Sequence, residues 1–106
     1  MASGILGQAA LSATTDTTVY TVPSSTLAIV NINVLNRSSS TAANVRVALA
    51  STATPQNSEY IEYDASIPSN GVLERSGIAM NAGERVVVYA STANCSVNVY
   101  GLEQSV

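Results

Sequence analysis

The chain has 106 residues, 46% of them hydrophobic and only 10% charged, with a formal net charge of −3. That length supports one hydrophobic core, and the apolar content, with a mean hydropathy of +0.23, excludes a disordered tail. Arg37, Arg46, Arg75 and Arg85 lie far apart and make no basic stripe, and no apolar run approaches the ~18 residues of a membrane span, so neither nucleic acid nor a membrane is an expected partner.

Residues 1–12, containing Gly4, Ile5, Leu6 and Gly7, read as an N-terminal arm or an edge strand, and residues 13–106 as a single domain. A short strand is expected around Val19 and Tyr20. In LAIVNINVLN, period-two alternation puts Ala28, Val30, Ile32 and Val34 on one face and Asn31 and Asn33 on the other, the pattern of a half-buried strand. NVRVALA repeats it, with Val45, Val47 and Leu49 inward and Arg46 and Ala48 outward. Further strands are expected over Tyr60 to Tyr63 and around Leu73. ERVVVYA is apolar on both faces, which suits a central strand or one carrying an interface. CSVNVYG closes the series with Cys95, Val97 and Val99 inward and Ser96, Asn98 and Tyr100 outward. Ser, Thr, Asn, Pro and Gly punctuate every connection. Seven or eight short strands without an amphipathic helix predict an all-β, antiparallel two-sheet sandwich, of Ig-like or jelly-roll type.

Chemistry-bearing residues are scarce. There is no His, hence neither the commonest general base nor the usual partner of a Ser or Cys nucleophile, and no Lys for Schiff-base or phosphate-loop chemistry. Glu59, Glu62, Asp64 and Glu74 could form a paired-carboxylate site, but a sugar cleft normally needs aromatic platforms and the chain has no Trp and no Phe. The loop DASIPSNG offers Asp64, Ser66 and Asn70 as hard oxygen ligands for calcium, without the spacing of an EF-hand; Pro68, Asn70 and Gly71 otherwise read as a turn. The single Cys95 sits at an inward strand position as a small buried hydrophobe. The sequons at Asn36 and Asn94 read as chance matches in a cytosolic setting. No enzymatic activity, cofactor or metal is expected.

What remains is a surface poor in charge, in which Tyr and Arg are the residue types that anchor protein interfaces. Ile5, Leu6, Arg46, Tyr63, Arg75 and Tyr100 are the candidate contact residues. Tyr60 and Tyr63 fall on opposite faces of a regular strand, so at most one of the two belongs to the core.

The order of pieces from Thr17 to Glu103, and above all GVLERSGI followed by NAGERVVVYAS, resembles small virion structural proteins of tailed bacteriophages, particularly marine and cyanobacterial ones, that decorate or cement the capsid. The resemblance implies a non-enzymatic protein made in the host bacterial cytoplasm and attached in many copies, as a homo-oligomer or as monomers, to the major capsid protein on the outside of the head. A tail, neck or fibre-associated module and a carbohydrate-binding host-recognition module are the alternatives.

Overall fold

The computed structural model describes residues 3–106, which form eight strands and one short 3-10 turn: β1 (Ser3–Ala10), β2 (Thr17–Thr21), β3 (Thr26–Asn36), β4 (Ala43–Ala50), the turn Asn57–Glu59, β5 (Tyr60–Ile67), β6 (Val72–Met80), β7 (Arg85–Ala90) and β8 (Cys95–Ser105). They make two four-stranded sheets, in the orders β1-β8-β3-β6 and β2-β7-β4-β5. Every pairing is antiparallel.

The strand order follows from rolling up one long antiparallel ribbon. Strands β1 to β4 run out and β5 to β8 run back, pairing β1 with β8, β2 with β7, β3 with β6 and β4 with β5. Rolling the ribbon adds the β3–β8 and β4–β7 pairings. That is the jelly-roll solution to burying one face of each sheet, and it decides between the two sandwich types the sequence left open.

Alternation positions the core as expected. Ala28, Val30, Ile32 and Val34 of β3, Val45 and Val47 of β4, Val86 and Val88 of β7, and Cys95, Val97 and Val99 of β8 form one buried cluster with Ile67 and Met80. β7 is an interior strand of its sheet, as its two apolar faces predict. Its outward Val87 is also buried, because Ala48, Ala50 and Tyr60 close over it in a second, smaller cluster.

The described part of the N-terminal segment is the edge strand β1 and not a free arm; the first two residues of that segment lie outside the described residues. Gly7 is needed where it stands: a Cβ there would come within 2.2 Å of the Val19 carbonyl oxygen of β2, so only glycine lets β1 close the end of the sandwich. Gly101 plays the same part between β8 and β3, with the Ile29 carbonyl oxygen 2.0 Å from a built Cβ.

Candidate protein-contact surface

The candidate residues fall in four places. Arg46 and Tyr63 come together on the outer face of the β2-β7-β4-β5 sheet. Ile5 and Tyr100 lie opposite each other on the outer face of the other sheet, in the β1–β8 register, with Ile5 60% exposed. Leu6 packs against the main core. Arg75 stands at the open side of the sandwich, where its guanidinium bonds Glu62 and so ties edge strand β6 to edge strand β5.

The Arg46 cluster is assembled by two irregularities in β5. Between the pairs Val45–Ala65 and Val47–Glu62 the strand gains a residue, and between Val47–Glu62 and Ala48–Tyr60 it gains another. Asp64 takes φ 53 at the first of these bulges, so Tyr63 and Asp64 together oppose Arg46. Glu62 turns inward to Arg75, while Tyr60 and Tyr63 share the outer face, their rings 4.9 Å apart and edge to face. Tyr60 and Tyr63 therefore do not take opposite faces: the expectation held only for a regular strand.

Arg46 is clamped from three sides. Its Nε donates to Asp64 Oδ1 at 2.7 Å and its Nη2 to Oδ2 at 3.4 Å. Its guanidinium lies 4.3 Å from the centre of the Tyr63 ring and 4.5 Å from that of Tyr89. The hydrogen bond donated to Asp64, with that carboxylate's negative charge, holds the guanidinium pKa above its ordinary value. Tyr63 is 58% exposed, so the stack presents an aromatic ring to solvent on a support that is already ordered. Tyr89 joins because β4 and β7 pair Arg46 with it. Period-two alternation places Arg46 outward, but only the sheet register makes Tyr89 its neighbour.

The four acidic residues grouped in sequence take different partners in the fold. Glu59 accepts from the Ser51 and Gln56 backbone N–H groups at 3.0 and 2.8 Å, Glu62 from Arg75 and Asp64 from Arg46; Glu74 faces Asn33 across the β3–β6 ladder. No two of the first three share a partner. Of the calcium candidates, Asp64 has both oxygens on Arg46, and Asn70 sits at φ 57 in the turn closed by the Gly71 N–H to Pro68 carbonyl bond at 2.9 Å. Asn36 is fully buried, so its amide is inaccessible to a glycosyl donor. An open hollow of about 390 Å³ beside β1 is lined by Gln8, Ala9, Ala10, Ser96, Val97 and Asn98, none of them titratable.

No protein-family model, curated protein or solved structure matches this chain.

Proposed function

We propose that this chain is a virion structural protein of tailed bacteriophages that attaches in many copies to the outer surface of the capsid and stabilises the head through protein–protein contacts. The observation that carries the reading is the Arg46 clamp: Tyr63, Arg46 and Tyr89 form a partly exposed aromatic–cation stack on a sheet face. Tyr and Arg dominate the energetics of protein interfaces, and side chains already held in place lose little entropy on docking. The sequence resemblance from Thr17 to Glu103 and the low charge content point the same way. The jelly roll is compatible, since the fold hosts viral capsid domains, but it also hosts lectins and so does not choose by itself.

The test uses particles of the encoding phage that lack this chain. Purified protein added back is expected to bind saturably and to raise the temperature at which the genome is released, because a ligand specific for the assembled shell stabilises it by mass action. Tyr63→Ala and Arg46→Ala should each weaken attachment by about tenfold or more, with circular dichroism confirming that the sandwich is intact. Absence of binding together with unchanged thermal release would overturn the proposal.

A further inference from the structure

Three of the four arginines find acceptors within the fold. Arg46 pairs with Asp64 and Arg75 with Glu62, and Arg37 donates through Nη2 to the Ala93 carbonyl at 3.4 Å. The Arg85 side chain differs: among the described residues it has no ion pair, and its Nε is sealed from solvent without an acceptor. Scarcity of carboxylates is not the reason, since the chain holds seven acidic residues to four cationic. Glu84, next to it in sequence, accepts instead from the Asn81 N–H at 2.7 Å. Glu59 spends its oxygens on the Ser51 and Gln56 N–H groups.

The position of Arg85 follows from the register. It opens β7, opposite Ala50 of β4 on one side and Thr21 of β2 on the other. Val86 and Val88 belong to the core, so alternation sends Arg85 to the outer face, the face that carries the Arg46 clamp. Arg46 stands opposite Tyr89, four residues further along β7, so about 13 Å of strand separates the two arginines. Arg85 is half-buried. Part of its guanidinium is thus held out of water with no counter-charge, an arrangement that costs stability in the free chain and is relieved when an acceptor arrives from outside.

We infer that Arg85 receives a side-chain carboxylate of the protein on which this face docks, in a charge-assisted pair completed only in the complex. The inference rests on the head-attachment reading and adds the chemistry of the partner at that face. Charge selects the class of occupant. One guanidinium matches one carboxylate, whereas a phosphate backbone or an anionic lipid surface calls for a cluster of cations, and the chain has no Lys while Arg46 is already bound to Asp64.

Arg85→Met tests it, because methionine keeps an apolar stem and removes both the charge and the unsatisfied donor. In the free protein the urea midpoint of this variant should equal or exceed that of wild type. On particles of the encoding phage that lack this chain, the variant should attach about 30-fold more weakly and lose part of the salt dependence shown by wild type. Arg85→Lys, which keeps the charge without the planar fork, should attach with an affinity between the two. A wild type that does not attach overturns head attachment and this inference together. With wild type attached, this inference alone is overturned by a lowered urea midpoint for Arg85→Met, by attachment of that variant equal to wild type, or by a lysine variant no better than methionine. A wild-type dimer that Arg85→Met turns monomeric in sedimentation velocity puts the carboxylate on a second copy and overturns it likewise.

Discussion

Asn36, at the end of β3, is the only fully buried polar side chain among the described residues. Its Nδ2 donates to the carbonyl of Thr41 at 2.9 Å and to that of Ile67 at 3.1 Å, and its Oδ1 accepts from the Ser38 N–H at 3.1 Å. One amide thus fixes both the loop after β3 and the start of the β5–β6 turn, and satisfies the buried Ile67 carbonyl. Asn36→Ala leaves those carbonyls unpaired and should cost about 2–3 kcal/mol in urea unfolding. Tyr20 makes a partly buried polar bond. Its hydroxyl donates to Glu103 Oε2 at 2.5 Å, and burial, followed by this bond, pushes its pKa above the ordinary 10.0. The folded state therefore favours the neutral phenol, and the stabilisation is present below pH 10 and declines as the pH rises beyond it. Tyr20→Phe should destabilise by about 1–2 kcal/mol at neutral pH, and its deficit against wild type should narrow in alkaline melts. Cys95 is fully buried and burial raises its thiol pKa, so a thiol reagent should modify it in denaturant and not in the native protein.

At the scale of elements, β5 shows how a strand can carry two functions. A regular strand would send Glu62 and Asp64 to one face. The two bulges send Glu62 to Arg75 across the open side and leave Asp64 and Tyr63 for Arg46. The loop leading into β5 is pinned by Glu59, whose carboxylate also accepts from the Ser51 hydroxyl at 3.1 Å. The backbone N–H bonds from Gln56 and Ser51 hold its pKa below the ordinary 4.5. The sign follows: the carboxylate bonds stabilise the loop above pH 4.5 and are lost as the pH falls through the lowered value. Glu59→Gln should accordingly reduce hydrogen-exchange protection of the Ser51 and Gln56 amides at neutral pH, and the difference from wild type should shrink in acid. Little of this was legible in EYIEYD. A bulge depends on the partner strand, and the partner of β5 is β4, whose Arg46 accepts two neighbours where a ladder offers one.

Across the whole molecule, the jelly roll joins the first strand to the last: Ser3 pairs with Leu102 and Ala10 with Ser96. Closing loops of that length before any contact forms is slow, so stopped-flow refolding is expected on the millisecond-to-second timescale, not in microseconds. Alternation alone determined the all-β class, most strand positions and the core-facing sides of β3, β4 and β8, because burying one face of a strand requires a period of two wherever the strand is regular. It also placed Arg46 and Tyr100 outward. It could not determine which strands are neighbours, since that choice rests on pairings between residues up to a hundred positions apart. Only the tertiary structure therefore decided the jelly-roll order, the burial of Ala48 and Val87 beneath Tyr60, the stacking of Arg46 between Tyr63 and Tyr89, and the place of β1 as a paired edge strand. Each follows from register across a sheet, a property that belongs to two strands at once and to neither sequence alone.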